Sequence, residues 1–474
     1  MNMYVAGDWV DKRERIAVLN PFDGSTVDYV PKADRTDVER ALAAAVRGAA
    51  VMERLTGYER YKILHRAADL IAERVEELAR TITREEGKVI GEARIEARRA
   101  AEIFYLSAEE AKRLEGEVIP LDGAPDVRGK LGFTIRIPCG VVVAISPFNF
   151  PLHLVGHKVG PALAAGNAVI VKPATDTPLS ALKLVEILLE AGVPPEAIQC
   201  ITGAGAEIGD ALVSDPRVRK ITFTGSRDVG ERICRAAGLK KITMELGSNS
   251  PVIVMDDADV EEVSAALVQT SFANAGQVCI STQRVYASRA IYGEFLEAFK
   301  PRVEKISYGD PMDESVQMGP LVRESDAARV KQWIDSAVSA GAGLLVGGGR
   351  DRGFMAPTVL TDVSPEMKVS CDELFGPAVA VSKVDDIDSA IDLANDSRYG
   401  LSAAIFTQDL DRAMKFALRA KAGNVHINWG SQWRADLMPY GGIKESGWGK
   451  EGPPYAVREM TDTKLVVMHL SGQT

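Results

Sequence analysis

Between Asp34 and about Glu117, apolar residues recur every three to four positions among charged ones, as in ERYKILHRAADLIAERVEELARTI. This spacing predicts several amphipathic helices. At GFTIRIPCGVVVAISPF (132–148) the pattern becomes β-branched and partly alternating, which predicts strands broken at Pro138. From residue 166 the apolar runs AVIVKP, AIQCITG, KITFTG and KITMELG read as strands, and PLSALKLVEILLEAG and VGERICRAAG between them read as helices. Strand and helix alternating at this interval predict a parallel sheet in a doubly wound α/β domain, where ligands bind beyond the carboxyl ends of the strands. Those ends are Lys172, Gly203, Gly225 and Glu245. After about Gly247 a second α/β series runs through SPVIVMDDADVEEVSAALVQTSF, PTVLTDV, GPAVAVSKV and SAAIFT and predicts a second domain. The tail DTKLVVMH (462–469) reads as a strand that needs a pairing partner, for which another subunit is a candidate.

At 474 residues the chain is too long for one hydrophobic core, so two or three domains are expected. A net charge of −10 disfavours broad attraction to nucleic acid or an anionic membrane, which leaves small-molecule chemistry. No apolar run approaches the ~18 residues of a membrane span and no export signal is evident, so the expected location is the cytoplasm. The five cysteines (Cys139, Cys200, Cys234, Cys279, Cys371) never form a C-x-x-C pair and the five histidines do not cluster in sequence. Neither a disulfide framework nor a metal site is expected.

Several residues can carry chemistry. In FTGSRDVG a strand runs through Gly225 and Ser226 into a helix, so backbone amides and a helix N-terminus can meet a pyrophosphate, although an ordinary strand-to-helix turn reads the same. Lys172 leaves a strand at the ligand edge, where it can bond a ribose or phosphate or simply reach solvent. Glu245 ends another strand, and partial burial would raise its pKa toward that of a general base; a surface or capping glutamate is the plain alternative. Asn149, flanked by aromatics and prolines in SPFNFP, can donate to an oxyanion or merely complete a turn. Cys279, in FANAGQVCIS after a helix expected over 259–270, is a buried filler or a nucleophile.

Taken in order, SPFNFP, VKPATDTP, FTGS, MELGSNSP, ANAGQVC, DELFGP and PYGGIKESGWGKEG resemble the successive motifs of the NAD(P)-dependent aldehyde dehydrogenase superfamily over essentially the whole chain. The resemblance implies an aldehyde dehydrogenase-like α/β fold with three parts. A Rossmann-type cofactor domain would hold residues 1–120 and 139–246, and an α/β catalytic domain 247–437. A small β oligomerisation arm would comprise 121–138 and 455–474 and serve a homodimer or homotetramer.

It implies Cys279 as nucleophile, forming a thiohemiacetal and then a thioester; Asn149 and the Cys279 amide as oxyanion donors; and Glu245 as the base that hydrolyses the thioester. Ser146, Lys172, Thr175, Gly203, Gly225, Ser226, Leu246, Glu373 and Phe375 would line the NAD or NADP cleft. His157, Leu154, Trp433, Arg434 and Tyr440 match substrate-funnel positions, and Arg434 could pair with an anionic group on a small aldehyde or form a structural salt bridge. The nearest likeness is to lactaldehyde- and succinate-semialdehyde-type members.

Thr175 departs from the pattern. Many NAD-preferring relatives carry a glutamate three residues after the motif lysine, and its carboxylate would repel a 2′-phosphate by about 1 kcal/mol or more at ~4 Å. Threonine removes that repulsion, so NADP is expected to be accepted, with Asp176 a counterweight if it turns inward. Phe148 and Ser248 replace a common tryptophan and glycine. Two further readings share the scaffold: a CoA-acylating semialdehyde dehydrogenase, which Glu245 disfavours, and a non-catalytic relative, which the intact Cys279, Glu245 and Asn149 disfavour. A cysteine esterase or amidase would not need the turn at Gly225.

Overall fold

A computed structural model describes residues 1–470, so the last four positions of the expected 455–474 arm lie outside the described residues. Four helices open the charge-rich region: α1 (Arg35–Arg54), α2 (Gly57–Glu73), α3 (Val75–Glu86) and α4 (Ile90–Ala111). Reciprocal capping boxes start the first two, Asp34 with Asp37 and Thr56 with Glu59. Gly87 ends α3 in the left-handed conformation at φ 88°. Their apolar stripes join one core with the first large sheet.

That sheet has eight strands. Five of them, in spatial order Ile198–Cys200, Ala168–Lys172, Val141–Ile145, Val218–Thr224 and Lys241–Glu245, run parallel. Helices cover both faces, which is why these strands are continuous apolar runs. Numbered along the chain the order is 3-2-1-4-5, so the direction of winding reverses between Val141–Ile145 and Val218–Thr224 and opens a crevice at their carboxyl ends. The hairpin Met3–Val5 and Asp8–Val10 caps one edge, and Gly447–Trp448 returns from far along the chain to pair with Met244 and Glu245 at the other.

The second sheet has seven strands in the order Gly343–Val346, Thr358–Thr361, Ala378–Val384, Thr282–Ser288, Ser250–Val254, Ser402–Phe406 and Asn424–Ile427, all parallel except the first. Thr282–Ser288 lies near its centre yet is not among the strands predicted from apolar runs. Its sequence, TQRVYAS, buries polar side chains that find partners inside the protein, with Arg284 donating to the carbonyls of Asn249 and Ala394.

The terminal strand Thr461–His469 pairs antiparallel along its length with Lys130–Pro138 of the same chain. The partner that the strand was expected to need thus lies within the chain rather than in another subunit, and it satisfies one edge, while Leu465, Val467 and Met468 remain exposed. Among the described residues no helix is long and apolar enough to cross a membrane.

Candidate active site

The crevice at the winding reversal gathers most of the expected cleft residues. Ser146 follows the strand Val141–Ile145 and is buried with no hydrogen-bond partner for its hydroxyl, while its amide donates to the Lys172 carbonyl at 3.3 Å. Burial lowers the Lys172 amine to a pKa of about 8, against the opposing influence of Cys200 and Asp176, and its Nζ donates to the Pro173 carbonyl at 2.8 Å. Thr175 Oγ1 donates to the Gly203 carbonyl at 3.3 Å, which joins two neighbouring strand ends. The Gly225 amide donates to the Glu245 carbonyl at 3.0 Å, and Ser226 stands immediately before the helix Arg227–Ala237. Leu246 packs against Gly230 of that helix so closely that a Cβ there would strike it.

Asp176 does not turn inward. It is held by the guanidinium of Arg323, whose Nε donates at 3.0 Å. From the second sheet's side, Glu373 accepts from the Ser248 amide at 2.9 Å, and burial pushes its carboxyl up to about 7. Phe375, in the left-handed region at φ 51°, lies edge-on to Phe148 with ring centres 5.8 Å apart.

Cys279 follows a strained segment. Asn274 (φ 48°, ψ 38°), Ala275 (φ 53°, ψ 35°) and Gly276 (φ 69°) are successive left-handed residues, a region that glycine adopts freely, asparagine tolerates and alanine disfavours. A buried carboxyl from α3 and a half-buried one from α4 hold the turn. Glu86 accepts from Asn274 Nδ2 at 2.9 Å, and Glu92 accepts from the Asn274 amide at 3.0 Å. The Gln277 amide closes the turn on the Asn274 carbonyl at 3.0 Å. A Cβ on Gly276 would collide with the Gly376 carbonyl, so the backbones pass too close for a larger residue.

The same helical corner fixes Asn149. Lys88 donates to the Asn149 carbonyl at 2.7 Å, and Asn149 Nδ2 donates to the Gln277 carbonyl at 2.7 Å, which leaves its second N–H available. Lys88 also pairs with Glu96, which accepts from the Leu152 amide at 3.0 Å.

Around Cys279 lies a buried charge network. Glu245 is buried with neither carboxylate oxygen bonded, and burial followed by the nearby Glu451 raises its pKa well above the ordinary value. Glu451 shifts the other way: despite burial it is held ionised by Lys158 Nζ at 2.8 Å and Arg434 at 2.9 Å. Arg434 also donates to His157 Nδ1 at 3.1 Å, lies over the Tyr440 ring at 4.0 Å, and keeps an unpartnered Nε. The Tyr440 hydroxyl sits 3.1 Å from Cys279 Sγ. Burial pushes the Cys279 thiol up to about 12, opposed by the Tyr440 bond and by Arg434.

Three expectations need adjustment. His157 is fully buried behind Arg434, where it fixes that side chain. Trp433 is half-exposed, its ring centre 6.2 Å from that of His426. The histidines do cluster: His153 and His157, four apart on one helix, both reach Asp436 Oδ1, at 2.8 and 3.2 Å. Their ligand-type atoms lie within 4.8 Å of one another, but Arg99 already pairs with Asp436 through both of its carboxylate oxygens. Burial lowers the imidazoles to about 3 and about 4, which keeps them neutral.

Sequence reasoning passed over Lys158, Glu451, Asp436 and the acidic set on α3 and α4. A lysine inside the apolar run HLVGHKVGPALA and glutamates spaced four apart at positions 92 and 96 were the available signals.

The chain resembles known proteins along nearly its whole length. Residues 9–466 match the model of the aldehyde dehydrogenase family. The chain is 48% identical to a 3-sulfolactaldehyde dehydrogenase of Priestia aryabhattai over 99% of its own length and 98% of the relative's. Aldehyde dehydrogenase 21 from Physcomitrella patens, solved in complex with the reaction product succinate, superposes with a TM-score of 0.97 at 39% identity, covering 99% and 98% of the two chains. An NADP-dependent glyceraldehyde-3-phosphate dehydrogenase from Bacillus halodurans complexed with NADP does so at 0.97 and 37%, covering 99% of each.

The clamp on Asn274 has a pH signature. Burial raises the Glu86 carboxyl from 4.5 to about 8, with Lys88 and Asn274 opposing and Glu96 and Glu92 reinforcing. A raised folded-state pKa means that stability is fully present below the unfolded value and is lost as pH climbs through about 8. Glu86→Gln, which cannot ionise, is expected to show a shallower fall in Tm between about pH 6 and about pH 9 than the parent. Parallel slopes would contradict the assignment.

Proposed function

The chain belongs to the aldehyde dehydrogenase family and is an NAD(P)-dependent oxidoreductase of small aldehydes; from that premise we propose that Cys279 is its nucleophile, Asn149 its oxyanion donor and Glu245 its hydrolytic base. The observation that carries this reading is the convergence of those side chains on one crevice, with both Glu245 oxygens and the Asn149 Oδ1 buried and unpartnered. Cys279 gives its thiol proton to water and, as thiolate, bonds through Sγ to the aldehyde carbon, while the C=O π pair moves onto the oxygen to make an oxyanion. The free N–H of Asn149 Nδ2 and the Cys279 amide receive that charge, each well-placed donor lowering the barrier by about 3 kcal/mol. NAD(P), when bound, supplies the acceptor for the hydride that leaves the aldehyde carbon.

The thioester left on Cys279 is hydrolysed by water that gives one proton to Glu245 as its oxygen bonds to the carbonyl carbon; the C–S bond breaks to leave the Cys279 thiolate and the carboxylic acid, which loses its own proton to solvent. For that step Glu245 must be ionised, and Lys158, Arg434 and Lys450 nearby favour the ionised form while burial and Glu451 oppose it.

The cofactor cleft suits a dinucleotide. The unpartnered Ser146 hydroxyl, Lys172, Thr175, Gly203, Gly225, Ser226 and Leu246 would hold one side, and Glu373 and Phe375 the other. Because Arg323 engages Asp176, no free carboxylate faces the ribose from that loop, which supports use of NADP. On the substrate side Arg434, supported by His157, stands beside Tyr440, and the half-exposed Trp433 would line the funnel. With Glu245 protonated, the cations Lys158 and Arg434 face a single partner, Glu451, and the buried Arg434 Nε is free. This local excess of positive charge favours a short aldehyde with an anionic substituent, and the relative named for 3-sulfolactaldehyde is consistent with that class.

On the same reading residues 1–120 and 139–246 form the cofactor domain, 247–437 the catalytic domain, and the strands of 121–138 and 455–474 the oligomerisation arm. The exposed apolar residues of Thr461–His469 would then serve a homodimer or homotetramer in the cytoplasm.

Two experiments test this. With Glu245→Gln, rapid mixing with a panel of short neutral and anionic aldehydes should give a burst of reduced dinucleotide near one equivalent per site, followed by turnover slowed about 100-fold or more. An undiminished steady state, or an obligatory requirement for free CoA, would contradict the role of Glu245. Thr175→Glu should shift the ratio of kcat/KM for NADP over NAD toward NAD by about 10-fold, and an unchanged ratio would place the discrimination elsewhere.

A further inference from the structure

A half-buried sulfur that must become a thiolate needs a partner for its charge. Around Cys279 two of the charged neighbours, Glu245 and Glu373, oppose ionisation, and Arg434 favours it less strongly than either. The side chain in hydrogen-bond contact with the sulfur is Tyr440, whose hydroxyl oxygen lies 3.1 Å from Sγ. With a thiol, either group can donate; with a thiolate, only the phenol can.

The surroundings fix that hydroxyl in place. Tyr440 is buried in a small apolar cluster with Val278, Ile280 and Leu401. Its backbone pairs in both directions with Glu451, the Glu451 amide donating to the Tyr440 carbonyl at 2.7 Å. Glu451 also holds the guanidinium of Arg434, which covers the Tyr440 ring. A cation on the ring face draws electron density from the phenol and strengthens its O–H as a donor. Phenylalanine would satisfy the packing and the cation contact equally well, so the hydroxyl is the part of this residue that packing does not explain.

We infer that Tyr440 is a catalytic residue that donates a hydrogen bond to Cys279 Sγ and stabilises the thiolate, both before attack and when it is regenerated from the thioester. The inference rests on the assignment of Cys279 as nucleophile. In ionisation the thiol proton passes to water and the S–H bond breaks, while Tyr440 keeps its own proton throughout. The groups that face this pair are Arg434, Glu245 and Glu373, and none of them is altered in the variants below.

The test is the rate at which iodoacetamide alkylates Cys279 in the full-length protein at about pH 8, with the modified residue identified by peptide mass spectrometry. A hydrogen bond to a charged group corresponds to roughly 1–2 pH units of thiol pKa, and a more basic thiolate is also more nucleophilic, so Tyr440→Phe should slow alkylation roughly 3- to 12-fold. Tyr440→3-fluorotyrosine keeps the shape and sharpens the donor, and should speed it. Opposite shifts from two near-isosteric replacements support the inference; equal rates, or slowing by both, overturn it. If Cys279→Ser retained full dehydrogenase activity, the nucleophile assignment itself would fail. If Cys279→Ser is inactive while Tyr440→Phe alkylates at the parental rate, only the role of Tyr440 fails.

Discussion

Two carboxyl groups, the buried Glu86 and the half-buried Glu92, bind a segment that would otherwise relax. Asn274 and Ala275 each occupy a left-handed conformation, which costs about 1–2 kcal/mol at Ala275, and the bonds from Glu86 and Glu92 to Asn274 offset that cost. The turn they maintain aims the following residues, Gln277 to Cys279, into the crevice. Because the Gln277 carbonyl accepts from Asn149, the positions of the sulfur and of the proposed oxyanion donor are set by one arrangement. Lys88 closes the unit by bonding the Asn149 carbonyl from the same helical corner. The reacting geometry is therefore fixed from α3 and α4, which pack on the first sheet, although the sulfur itself precedes a strand of the second.

A second layer governs charge. Lys158, wholly buried, and Arg434 share Glu451, which stays ionised and raises the pKa of Glu245 beside it. Arg434 is fixed in turn through His157 and Asp436 to Arg99 on α4. Each charged member is held by at least one other, and Glu245, whose pKa burial raises, keeps both oxygens unbonded, as suits the proposed hydrolytic base.

Much of the first sheet was legible in the sequence because strands buried on both faces are uninterrupted apolar runs, and their carboxyl ends located Lys172, Gly225 and Glu245 directly. The strand Thr282–Ser288 escaped because its buried polar groups pair internally, which removes the hydrophobic signal while keeping the structure. The terminal strand was read correctly as a strand, but its partner Lys130–Pro138 lies more than 300 residues earlier, and a pairing at that separation leaves no local trace. Site residues embedded in ordered motifs were recognisable by resemblance. Lys158, Asp436 and Glu86 were not, because a buried ion's function depends on partners that only folding brings near.

The most direct measurement is the pre-steady-state rate of dinucleotide reduction by Asn274→Ala, which loses the bond to Glu86 and the residue type most tolerant of a left-handed turn. With Cys279 displaced by a fraction of an ångström to about 1 Å, the burst rate constant should fall about 100-fold while the dissociation constant for the dinucleotide stays at the parental value. A burst as fast as that of the parent would mean that the turn does not position the sulfur.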